Sequence, residues 1–135
     1  KVLISDDLEK PRAIAVGPEL GWLFWSDWSD RKPKIERANL DGTQRTIIVS
    51  KDLVWPNGVT LDLVSRKIYW CDAKEDKIEF ANMDGKDRRI LINTEVPHVF
   101  GLSLMGDYLY WTDWERRAID RAHKESGKFL MNFDM

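Results

Sequence analysis

Apolar positions recur along the chain in short runs that are rarely longer than six residues. Polar clusters and turn dipeptides separate them. Several runs alternate with period two, which is the strand spacing, and others are apolar on both sides, as in a sheet covered on both faces. No stretch shows a convincing helical stripe. The pattern predicts strands at 12–16, 21–28, 34–39 and 45–50, then at 57–62, 67–72, 77–82 and 88–93. A third set is expected at 100–104, 107–114, 117–123 and 128–133, and residues 2–5 read as the last strand of a preceding unit. Asp41-Gly42 and Asp84-Gly85 are hairpin dipeptides, and Gly21, Gly106 and Ser126-Gly127 punctuate other strand ends.

The three sets are copies of one another. Trp25, Trp70 and Trp111 stand 45 and 41 residues apart, in FWSD, YWCD and YWTD. KIERAN, KIEFAN and AIDRAH follow them, and NLDG at 39–42 matches NMDG at 82–85. VLISDDLEKPRAI (2–14) aligns with IIVSKDLVWPNGV (47–59) and ILINTEVPHVFGL (90–102). Four-stranded units at this period are propeller blades. The expected fold is therefore all-β: about three four-stranded blades, near 10–50, 55–93 and 98–135, forming a fragment of a larger ring. Such a fragment leaves two blade faces uncovered.

Trp and Asp two apart on a strand share a face. Trp25 with Asp27, Trp70 with Asp72 and Trp111 with Asp113 are thus expected to be structural staples of each blade. Each carboxylate on a buried face needs hydrogen bonds or a cation. Arg37 and Arg121 are candidate partners, but Phe80 takes that position in the middle blade, so backbone N–H donors are the better expectation. Cys71, aligned with Ser26 and Thr112, reads as a small core residue.

Composition narrows the function. A net charge of -2 offers no basic stripe for nucleic acid, and no apolar run is long enough for a membrane helix. One Cys excludes an internal disulfide. No Ser/His/Asp order, phosphate-cradling Gly loop or metal set stands out, so neither an enzyme nor a cofactor is expected. The residues just before the first strand of each blade must gather on one rim of the disc. Alignment makes Arg12, Asn57 and Phe100 equivalent, and likewise Lys10, Trp55 and His98. Trp and Arg anchor interfaces, so Arg12, Trp55, Asn57, His98 and Phe100 are the candidate ligand-binding residues.

YWTD, LDG and P-x-G at this spacing resemble the YWTD propellers related to the low-density lipoprotein receptor, over essentially the whole chain. KPRAIAVGPELGWLFWSDW, WPNGVTLD and PHVFGLSLMGDYLYWTDWERRAIDRAHK are most similar to the Wnt co-receptor branch. FWSD, YWCD and Gly17, which replaces the usual Asp after the first strand, are departures from the strict pattern. The resemblance implies a six-bladed ring followed by an EGF-like module, placed in the extracellular part of a plasma-membrane receptor without direct membrane contact in this segment. It implies secreted partners, Wnt-type ligands or their antagonists. It also implies contact of Arg12, Trp55, Asn57 and His98 with an Asn-x-Ile peptide motif. Endocytic and matrix relatives share much of the pattern. A metal-dependent propeller lactonase is the enzymatic alternative, with Asn57 as its one candidate ligand.

Overall fold

The computed structural model describes residues 1–129. Its strands are β1 (Pro11–Gly17), β2 (Trp22–Asp27), β3 (Lys34–Asn39), β4 (Thr46–Val49), β5 (Pro56–Asp62), β6 (Lys67–Asp72), β7 (Lys77–Asn82), β8 (Arg89–Ile92), β9 (Val99–Met105), β10 (Tyr108–Asp113) and β11 (Ala118–His123). They form three antiparallel meanders, β1-β2-β3-β4, β5-β6-β7-β8 and β9-β10-β11. The only helical element among the described residues is a 3-10 turn at Pro18–Leu20, which the strand pattern did not foretell. Proline at its first position and Gly21 in the left-handed region (φ 74°) define this turn. Residues 2–5 join no ladder, although a strand was expected there. Of the strand expected at 128–133, Phe129 makes a single bridge to Ala122, and residues from 130 on lie outside the described part.

The repeated aromatic pair explains how the sheets stack. Neighbours in a strand point to opposite faces. Trp70 therefore packs back towards the first sheet with Val49, Leu53, Phe24 and Ile35, while Tyr69 packs forward with Ile92, Val96, Leu109 and Trp111. Trp25 packs with Leu23 and Ala38 against Ile4 and Leu8. By the sequence alignment, Ile4 and Leu8 correspond to Val49 and Leu53. Residues 1–8 thus lie against blade 1 as the outer strand and loop of blade 1 lie against blade 2. Each buried indole removes up to ~5 kcal/mol worth of apolar area from water. The indole N–H groups of Trp25, Trp70 and Trp111 have no hydrogen-bond partner, so these residues serve as apolar bulk.

Polar clasps repeat between blades as well. Arg45 donates Nε and Nη2 to Glu36 at 2.8 and 2.9 Å and reaches the carbonyls of Asp6 and Asp7. Arg88 does the same with Glu79 and with Lys51 and Asp52 of blade 1. Blade 3 solves the problem differently: Arg116 pairs with Asp120 at 2.7 Å and donates to the Glu95 carbonyl. The bond to Glu36 holds the Arg45 guanidinium above its ordinary pKa. The turn glycines press on the segment that packs before their own blade. Gly42, Gly85 and Gly127 all have positive φ and face the backbone carbonyls of Leu3, Ile48 and Leu91.

Candidate ligand-binding rim

The rim is built from β-bulges. The β1–β2 register breaks between Pro11 and Ile14, the β5–β6 register between Pro56 and Gly58, and the β9–β10 register between Trp111 and Asp113. A bulge adds a residue and re-aims side chains. Arg12, Asn57 and Phe100 occupy these extra positions. The residue facing each break completes the hydrogen bonding. Ser26 Oγ accepts the Ala13 N–H at 3.1 Å, and Thr112 Oγ1 accepts the Gly101 N–H at 3.0 Å. Cys71 stands at the same place in blade 2, fully buried, with Sγ 3.5 Å from the Val99 carbonyl. Burial pushes its thiol up to about 12, which makes it a core group and not a nucleophile.

The Trp-x-Asp carboxylates hold the residues two places before those bulges. Asp27 accepts the backbone N–H groups of Glu9 and Lys10 at 3.0 and 2.8 Å. Asp72 accepts those of Val54 and Trp55 at 2.7 and 3.1 Å, and of Lys74 and Glu75 besides. The carbonyls of Lys10, Trp55 and His98 in turn accept the N–H groups of Trp28, Ala73 and Trp114. Asp113 differs. The residue aligned with Val54 is Pro97, which has no N–H to give. Oδ1 of Asp113 accepts from Arg116 N, while the buried Oδ2 has no hydrogen-bond partner. The Arg116 guanidinium lies 3.9 Å from that oxygen. Arg37 does not serve Asp27; it donates to the Met83 carbonyl and stacks 4.1 Å from the Trp22 ring centroid. Arg121 likewise turns to the Tyr110 hydroxyl.

Arg12 meets Phe100 directly and joins Trp55 through a residue outside the predicted set. Arg12 lies 4.6 Å from the ring centroid of Trp28 and 5.4 Å from that of Phe100. Trp28 and Trp55 pack at 5.4 Å with a tilt of 51°. Lys10 and Lys74 flank the pair, 5.5 Å from Trp28 and 5.4 Å from Trp55. This is a continuous cation–aromatic surface across all three blades. Asn57 bonds to the Val99 carbonyl through Nδ2 at 3.5 Å, and its buried Oδ1 has no partner. His98 stands in a separate group, with the Trp114 ring at 6.4 Å and Glu115 at 3.8 Å. Trp28 was legible in the sequence as the residue after FWSD, an aromatic one step beyond the staple; Lys74 carried no such signal.

Comparisons with known proteins establish the family and the fold. The family described as low-density lipoprotein receptor repeat class B matches residues 21–63 and 66–102, more than half of the chain. The chain belongs to this family. Human low-density lipoprotein receptor-related protein 5-like protein is 47% identical over 92% of the chain and 49% of its own length. Human low-density lipoprotein receptor-related protein 5 is 55% identical over 93% of the chain but 8% of that receptor. Vitellogenin receptor Yl of Drosophila melanogaster is 42% identical over 90% of the chain and 6% of the receptor. The chain therefore spans about half, or far less, of the curated relatives it matches. Among solved structures, a chain of the nidogen/laminin complex superposes with a TM-score of 0.91 at 33% identity, over 96% of this chain and 49% of that one. A TolB structure from Agrobacterium tumefaciens, at 11% identity and a TM-score of 0.75, shares the fold alone. This class B repeat chain is a three-sheet fragment of a β-propeller, and its named curated relatives are a receptor and receptor-related proteins. None of its described helices is long and apolar enough to cross a membrane.

Proposed function

We propose that this class B repeat segment displays the ligand-binding rim of an extracellular Wnt co-receptor, where secreted ligands or their antagonists dock. One observation carries the reading: the joined surface of Arg12, Trp28, Trp55 and Phe100 on the rim. The tryptophans offer rigid apolar walls, and the flanking cations favour an acidic or neutral peptide. Identity with low-density lipoprotein receptor-related protein 5 supports the Wnt branch. His98, Trp114 and Glu115 would then form a second contact point on the same rim. The test is calorimetric titration of an Asn-x-Ile peptide into the complete ring. Trp55→Ala should weaken binding about 30-fold or more, as loss of an interface anchor does, with the far-UV spectrum unchanged. An unaltered Kd in that variant rejects the assignment. The nidogen likeness favours a second reading, capture of a matrix protein; binding of laminin with no response to the Asn-x-Ile peptide would select it.

A further inference from the structure

The loops leading into the first strands of blades 1 and 2 are tied down by four matching backbone contacts. Asp27 holds the N–H groups of Glu9 and Lys10, and Arg45 holds the carbonyls of Asp6 and Asp7. Asp72 holds the N–H groups of Val54 and Trp55, and Arg88 the carbonyls of Lys51 and Asp52. The aligned loop of blade 3, residues 94–98, keeps one of the four. Pro97 has no N–H. The His98 N–H makes no hydrogen bond among the described residues. Arg116 reaches the Glu95 carbonyl but not that of Thr94. One carboxylate oxygen, Asp113 Oδ2, is left buried without a donor. This loop does not lie on an open face of the chain, since Val96 packs with Tyr69 and Trp111 between blades 2 and 3. A loop with few ties, beside an acceptor that gains by finding a donor, has reason for a second arrangement.

We propose that the Pro97–His98 peptide is the adjustable part of the rim. Its second state turns the His98 N–H to Asp113, as those of Lys10 and Trp55 turn to Asp27 and Asp72, and a docking peptide selects that state. The proposal rests on the reading of the rim as a peptide-binding surface. It divides that surface into a fixed wall, built on the tied loops of blades 1 and 2, and a movable one carrying His98. Val96 and Val99 are each 1% exposed and serve as pivots, which confines the motion to the two residues between them. The turn gains a bond without losing one. The His98 carbonyl accepts the Trp114 N–H at 3.0 Å, and in blade 2 the equivalent carbonyl bond coexists with the N–H bond to Asp72. What opposes it is small: the fixed φ of Pro97, a ring contact with Trp114 at 6.4 Å and a contact with the exposed Glu115 at 3.8 Å. States this close in free energy shift with any ligand that contacts them unequally. A peptide bonding the turned imidazole does so.

Amide hydrogen exchange of the complete ring, with and without an Asn-x-Ile peptide, tests this. In the free ring, residues 94–99 should exchange about tenfold or more faster than residues 51–56. The peptide should slow the first segment about fivefold or more and leave the second unchanged. The His98 amide proton should move downfield in the bound ring's NMR spectrum, as a carboxylate-bonded N–H does. Pro97→Val supplies the missing N–H to Asp113. It should slow exchange over 94–99 by about tenfold and abolish the peptide's effect there. Equal exchange of the two loops in the free ring overturns the proposal, as does a Pro97→Val ring that exchanges like the parent. Peptide binding that responds to Trp55→Ala but leaves 94–99 unchanged refutes the coupling while the rim reading stands. No binding at all rejects the rim reading and the coupling together, and the exchange contrast then decides the second state by itself.

Discussion

A single spacing, Trp-x-Asp, does different work at three positions. Asp72 accepts four backbone N–H groups, so Asp72→Ala strands buried donors and should cost roughly 3–5 kcal/mol in urea unfolding. Asp113 serves fewer donors because Pro97 has none to offer. Asp113→Asn should therefore cost less than Asp72→Asn, by about 1 kcal/mol or more, and equal losses would refute the account. Cys71 yields a simpler measurement. Its buried thiol, raised to about 12, should react with a disulfide reagent only at the rate of unfolding. Fast labelling of the native chain would contradict its placement between blades 2 and 3. The carboxylates and the thiol were recognisable from alignment. The particular donors before each first strand were not, because those of Asp27 and Asp72 arrive from segments 17 or 18 residues away in the chain.

At the level of strands and turns, the hairpin glycines are held by two constraints at once. Gly85 has φ +89°, and a Cβ there would collide with the Ile48 carbonyl. Gly21 also has positive φ, but nothing lies within 4 Å of the space a Cβ would take. Gly85→Ala should thus lose roughly 2–4 kcal/mol and Gly21→Ala about 1 kcal/mol, read from denaturant midpoints. The Asp-Gly turn was plain in the sequence; the collision was not, since it involves a neighbouring blade. The strand assignments agreed closely because each blade is a meander of local hairpins with period-two patterning. The exceptions have causes. Residues 2–5 carry a strand pattern but have no adjoining strand within the described chain, and Pro18 with Gly21 diverts the β1–β2 connection into a 3-10 turn.

Across the whole molecule, stability depends on interfaces between blades. Asp62 and Lys124 join blades 2 and 3 at 2.6 Å, beside the Tyr69 hydroxyl bond to the Lys124 carbonyl. Burial alone would raise the Asp62 pKa, but hydrogen bonds from Lys124 and Ser65 outweigh it and leave the pKa below the ordinary carboxylate value. Its stabilisation is therefore complete above the unfolded-state pKa and is lost as pH falls through the lower folded value. Asp62→Ala should cost about 3–5 kcal/mol near neutrality by leaving a buried ammonium unpaired. That penalty should shrink in acid, where the native chain has already lost the pair; a pH-independent difference between the two proteins would disprove the linkage.

The amino-acid sequence by itself determined the repeat, the strands, the turn positions and the face each aromatic takes. All of these follow from local periodicity and from residue types whose backbone preferences act over a few positions. The tertiary structure decided which rim side chains meet. Arg12 meets Phe100 directly and Trp55 through Trp28, and His98 goes to Trp114 instead, because bulge geometry and the packing angle between sheets set those distances. Contacts between blades join segments distant in the chain, as Arg37 does with Met83 and Asp62 with Lys124. No local pattern encodes them until the sheets are stacked.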